Sequence, residues 1–252
     1  MTVLIVFFGV IAALYASVGF GGGSSYSALL VAMSVSAAAI PLISLSCNLI
    51  VAAGGVAHRA RIRSIPWRQA LPLVALSVPA AWLGGRTPIA EEVFLALLGA
   101  ALVCSGGILL FGKTGAPSLP IVPSGPVLLL TGTGVGYLSG LVGIGGGIFL
   151  APLLHLFRWN TPRRIAATAS LFILFNSAAG LIGQIQKTGE IAPAVLREYG
   201  PLIVAVLIGG QVGSRLGAAL LPEQVLRAMT AILVLAVGLR LLFPVVRRTL
   251  GG

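Results

Sequence analysis

The chain contains no aspartate. Its acidic residues are five glutamates in 252 positions, Glu91, Glu92, Glu190, Glu198 and Glu223, all at loops or helix starts. No apolar run therefore carries a carboxylate to hold Na⁺, a metal or a proton inside a membrane. Cysteine is scarce as well. Cys47 and Cys104 each sit in an apolar run and read as small packing residues, without a disulfide or metal role. Charged residues make up 8% of the chain, where a soluble domain carries about 25%. No nucleophile–base constellation is visible, so no enzyme, cofactor or metal centre is expected.

What the chain has in abundance is apolar surface. Hydrophobic residues make up 58%, and the mean hydropathy is +1.08. No water-soluble core absorbs this much, so the chain reads as an integral membrane protein. Lipid permits helices or closed barrels. The runs are rich in Gly, Pro and Ala and do not alternate with period 2, which argues against an outer-membrane barrel. The expected class is an all-α polytopic membrane protein. The net charge of +11 sits in short loops between apolar runs, which points to positive-inside anchoring rather than nucleic acid. The N-terminus is apolar without a basic n-region and reads as a retained span, not a signal peptide.

Apolar runs of about 20 residues define two halves. The first holds 2–33 (interrupted at 19–23), 36–57, 66–85 and 90–111. The second holds 125–156 (interrupted at 143–147), 165–186, 199–218 and 223–243. This divides the chain into a first repeat over 1–112, a linker over 113–124 with Pro117, Pro120 and Pro123, and a second repeat over 125–252. Val18-Gly19-Phe20-Gly21-Gly22-Gly23 recurs 124 positions later as Val142-Gly143-Ile144-Gly145-Gly146-Gly147. The repeat extends beyond the glycines: Asn48 matches Asn176, Gly84-Gly85-Arg86 matches Gly213-Ser214-Arg215, and Glu91-x-Val93 matches Glu223-x-Val225.

The orientation of the halves stays open. Single crossings at the interrupted segments make the halves parallel; hairpins make them inverted. Either arrangement divides the 16 Lys and Arg ten against six, so the positive-inside rule does not decide. As one helix, an interrupted segment of about 30 residues measures about 45 Å against a core of about 30 Å. That excess favours hairpins and inverted halves.

Matched helix breaks in matched halves are the sequence mark of a transporter site built from discontinuous helices. Unpaired N–H groups and the positive dipole end of the restarted helix bind anions without a charged side chain. The expected substrate-binding residues are Gly19, Phe20, Gly21, Gly22, Gly23, Ser24, Ser25 and Asn48 in the first half. Those in the second are Gly143, Ile144, Gly145, Gly146, Gly147 and Asn176. Arg86 and Arg215 end matched helices and are candidates for an anion vestibule, against snorkelling to headgroups. Gln184 and Gln186 are weaker candidates. His58 and His155 can exchange protons, but read as interfacial. Gly107–Thr114 fits a phosphate-binding loop by letter. It finishes a membrane span instead of joining a strand to a helix, so ATP binding is rejected. Gly132-x-Gly134-x-Gly136 reads as a small-residue helix face.

The stretch Gly143-Ile144-Gly145-Gly146-Gly147-Ile148-Phe149-Leu150-Ala151-Pro152 resembles the G-x-G-G-G-x-x-x-x-P signature of the sulfite exporter TauE/SafE family, also called the 4-toluene sulfonate uptake permease family. Ala166-Ala167-Thr168-Ala169-Ser170 resembles that family's small-hydroxyl run. The first copy departs, with Ala28 at the proline position and Ser44-Leu45-Ser46 for the Thr-Ser run. The resemblance implies a carrier in the bacterial inner membrane for sulfite, sulfonates or related sulfur-containing organic anions. The expected mechanism is alternating access around a site at the glycine breaks. Rival readings are a passive anion channel, and a membrane anchor or assembly subunit without transport of its own. A cation or metal carrier ranks behind these, because the spans lack carboxylates. A small anion and the lipid bilayer are the expected partners, nucleic acid is not, and a homodimer stays open.

Overall fold

A computed structural model describes residues 1–18, 21–111, 125–157, 159–216 and 223–250. Gly19 and Phe20, the linker at 113–124 and the end of the phosphate-loop-like stretch lie outside the described residues. Every regular element among the described residues is a helix. They are α1 (Thr2–Val18), α2 (Gly23–Ala32), α3 (Ala39–Arg61), α4 (Trp67–Arg86), α5 (Glu91–Phe111) and α6 (Gly125–Val142). After these come α7 (Gly147–Leu156), α8 (Pro162–Thr188), α9 (Ile191–Glu198), α10 (Gly200–Leu216) and α11 (Glu223–Leu250). By length and composition α3, α5, α6 and Arg163–Thr188 of α8 can each cross a membrane, and the pair α9–α10, bent by 55°, can make a fifth span. Large apolar side chains such as Leu130, Ile232 and Phe243 point outward, as lipid-facing residues do.

The helix ends follow local chemistry. Glu91 and Glu92 occupy the first turn of α5, and His58, Arg59 and Arg61 the last turn of α3; both placements complement the helix dipole. Pro162 opens α8 at its first turn, where no intrahelical N–H bond is lost. The helix stops at Gly189, whose φ of 53° suits glycine. The stretch 187–198, between the apolar runs 165–186 and 199–218, is expected as a loop. It forms α9 instead, a short helix that buries Ala192 and Val195 and exposes its other face. Eight residues are too few to register as an apolar run.

Small residues set the packing. Gly132, Gly136 and Gly140 of α6 lie against Leu73, Ser77 and Ala81 of α4; a Cβ on Gly136 would come within 2.6 Å of the Ser77 carbonyl. Both sets ascend together, so α4 and α6 run parallel. Asn176, Gly180 and Gly183 of α8 meet Ser77, Ala81 and Trp82 of α4, so α8 also runs parallel to α4. Gly209 and Gly213 of α10 lie on Gly9 and Ala13 of α1, again parallel. By contrast Gly99 and Gly106 of α5 meet Leu242 and Leu235 of α11 in antiparallel order. In lipid, small residues let backbones approach closely, and dispersion holds them together.

The loop after α7 settles beside the loop before α4. Asn160 donates from Nδ2 to Gln69 Oε1 at 2.7 Å. Trp159, Leu154 and Ile165 share one buried cluster with Ile65 and Ala70.

Candidate functional site

The first break lies between Val18 and Gly23, the second between Val142 and Gly147. Gly143, Gly145 and Gly146 have φ of 79°, 84° and 75°, a region that glycine enters without steric cost. The residues around them leave no room either. A Cβ on Gly145 would stand 2.6 Å from Asn48 Nδ2 and 2.8 Å from Ser177 Oγ; on Gly146 it would stand 2.8 Å from the Phe172 ring.

Asn48 joins the two breaks. It is fully buried near the middle of α3. Its Nδ2 donates to the Ile144 carbonyl at 2.8 Å, while its Oδ1 lies 2.7 Å from where a Gly21 Cβ would be. A Cβ on Gly23 would overlap both Asn48 Nδ2 and the Ile144 carbonyl, so the two breaks touch. Ser44 Oγ donates to the Gly23 carbonyl at 3.0 Å. Ser24 is buried, and Ser25 Oγ shares a 2.9 Å hydrogen bond with Tyr15 OH.

The second break is rich in unused donors. Gly143 N–H closes on the Ser139 carbonyl at 2.9 Å, and Phe149 and Leu150 N–H on the Gly146 carbonyl. Between them the N–H groups of Ile144, Gly145, Gly146, Gly147 and Ile148 have no partner among the described residues. Residues 143–147 are buried. Ser139 Oγ and Ser177 Oγ, both buried, also lack partners among the described residues. Buried backbone donors are almost always paired. A run of free N–H groups in a left-handed turn is the shape of an anion nest, at the positive end of α7.

Asn176 is also fully buried; its Oδ1 has no partner among the described residues, but its amide nitrogen is engaged by the protein. Its Nδ2 donates to Ser77 Oγ at 2.9 Å and to the Phe172 carbonyl at 2.8 Å. Both amide hydrogens are therefore taken, so Asn176 cannot donate to an anion in this conformation. The vestibule candidates stand apart. Arg86 is exposed with its guanidinium 5.3 Å over the Trp82 ring, and Arg215 is exposed at the end of α10. Gln184 donates to the Gly140 carbonyl at 2.9 Å, and Gln186 accepts from Trp82 Nε1. His58 is exposed; the side chain of His155 lies outside the described residues.

Ser139, Ser177 and Ser77 were not singled out from the sequence. Ser177 follows Asn176 and Ser139 stands one turn before the second break. A lone serine in an apolar run carries no signal of its own, because serine is also an ordinary small packing residue there.

These features define a multi-pass helical membrane protein with two helix breaks meeting in its interior. A family model described as "Sulfite exporter TauE/SafE" matches residues 3–241, and the chain belongs to this family of membrane transporters. It is 35% identical over 244 residues to "Probable membrane transporter protein y4hK" of Sinorhizobium fredii (strain NBRC 101917 / NGR234), covering 95% of this chain and 97% of that protein. No solved structure matches.

Proposed function

We propose that the chain is a secondary transporter of small anions, foremost sulfite, sulfonates or related sulfur-containing organic anions, in a bacterial inner membrane. The observation that carries this reading is the buried second break, where the N–H groups of residues 144–148 and the hydroxyls of Ser139 and Ser177 find no partner among the described residues. Such a nest, with no carboxylate near, favours an oxyanion over a cation. The family match supports the sulfur oxyanion within that class. The nest adds Ser139 and Ser177 to the expected Gly143–Gly147 and Asn48.

The proposed mechanism is alternating access of two inverted repeats around this site. Two observations support inversion, and a third supports the repeat itself. First, α6 and α8 both run parallel to α4, and the loop before α8 lies beside the loop before α4. The segment α6–α7 therefore enters and returns on one face, as a hairpin does. Second, α1 runs parallel to α10, whose start follows the opposite end of α8. Third, the helix packing keeps its pattern when α1, α2, α3, α4 and α5 are exchanged with α6, α7, α8, α10 and α11: α4 on α6 pairs with α10 on α1, and α4 on α8 with α10 on α3. In the described conformation the tips of the two hairpins touch at Asn48, so opening to either face separates one tip from it.

Thermal unfolding of the purified protein with a panel of anions tests the reading. Sulfite and small sulfonates should raise the melting temperature, with carboxylates of equal size doing less and Na⁺ or K⁺ alone nothing. Stabilisation by cations only would overturn it. In proteoliposomes, saturable counterflow of the stabilising anion separates a carrier from a channel.

A further inference from the structure

The donors at the second break account for an oxyanion but not for Asn48 Oδ1. This oxygen is fully buried and has no hydrogen-bond partner among the described residues. The orientation of the amide is fixed. Turning it over would set Oδ1 against the Ile144 carbonyl, which now accepts from Nδ2 at 2.8 Å, and would bring two acceptors together. Oδ1 therefore faces the first break, beside Gly21, as an acceptor that can only be satisfied by a donor. A sulfonate or sulfite oxygen placed there would add acceptor to acceptor. The two sides of the contact between the breaks are thus unlike: N–H groups and hydroxyls on the second break, a bare amide oxygen on the first.

We infer that the site selects anions that carry a hydrogen-bond donor, a hydroxyl or ammonium group close to the oxyanion or a proton on the oxyanion itself, with that donor bonded to Asn48 Oδ1. The oxyanion lies in the nest of residues 144–148 with Ser139 and Ser177, and the donor turns toward Gly21. A fully deprotonated dianion without a donor leaves Oδ1 unsatisfied and pays for its burial. A site built around a substrate O–H discriminates against the analogue that lacks it more strongly than an apolar pocket discriminates one methylene. This inference rests on the proposed anion site, and its test separates the two.

The test compares 2-hydroxyethanesulfonate with propane-1-sulfonate, which replaces the hydroxyl by a methyl group of similar size. Binding of each to the purified full-length protein is measured by titration calorimetry. We expect the hydroxylated anion to bind at least about tenfold tighter. In Asn48→Leu the ratio should fall toward one, whatever happens to the absolute affinities. Should Asn48→Leu fail to fold, the ratio in the native protein still decides. Equal binding of the two anions by the native protein would overturn the inference and leave the anion site standing; Oδ1 would then be served by water. A requirement for Na⁺ that disappears in Asn48→Leu would also overturn it, by making Oδ1 a cation ligand. Failure of both sulfonates and of sulfite to bind would instead sink the anion site itself.

Discussion

Gly145 shows how little freedom the second break has. Its φ of 84° and the atoms of Asn48 and Ser177 on either side exclude a side chain twice over. Left-handed backbone costs a non-glycine residue about 1–2 kcal/mol, before any overlap is relieved. Gly145→Ala is therefore expected to lower the melting temperature and to abolish uptake in proteoliposomes. Gly54 is the control. It lies in the exposed interior of α3 with open space where a Cβ would go. Gly54→Ala should retain uptake and gain up to about 1 kcal/mol from helix propensity, read as an unchanged or raised melting temperature. The glycines of the break were legible in the sequence because they repeat. Ser139 and Ser177 were not, because a hydroxyl's burial and missing partner exist only once α6 and α8 are packed.

At the scale of elements, the same residue type does different work on different faces of one helix. Gly136 of α6 presses on the backbone of Ser77 in α4, while Gly134, two residues earlier, is exposed with nothing near it. Gly136→Leu should separate α6 from α4 and destabilise the fold, because overpacking against backbone has no side chain to yield. Gly134→Leu should be near neutral, its side chain meeting lipid. Thermal unfolding in the same detergent compares them; equal loss in both would contradict the assigned face. From the sequence, Gly132, Gly134 and Gly136 together read as a small-residue face. Only the packing separates Gly132 and Gly136, which touch α4, from Gly134, which does not. The helix starts and stops were largely legible, since prolines and glycines fix them locally. The short helix α9 was not, since its amphipathic face acquires meaning only from what it covers.

For the whole molecule, the decisive relation is that α8 runs in the same direction as α4. It sets Trp159 and Asn160 beside Ile65 and Gln69 at the start of α4. In a cysteine-free background, Arg61→Cys and Arg164→Cys should therefore react with an impermeant thiol reagent from one and the same side, and Glu190→Cys from the other. Labelling of Arg61→Cys and Arg164→Cys from opposite sides would contradict the hairpin arrangement.

The sequence by itself determined that this chain lives in a membrane, where its helices break, and that its interior lacks carboxylates. Those are properties of composition and of local backbone chemistry, and they need no partner helix. Its motifs also carried the family. Counting charges left the direction of the second half undecided, because Lys and Arg divided equally well in either arrangement. Only the tertiary structure decided the parallel register of α4 with α6 and α8, the meeting of both breaks on Asn48, and the donors of residues 144–148 that lack partners among the described residues. These are relations between segments far apart in the chain. They arise from close approach at small residues on helix faces, which local sequence permits but does not pair.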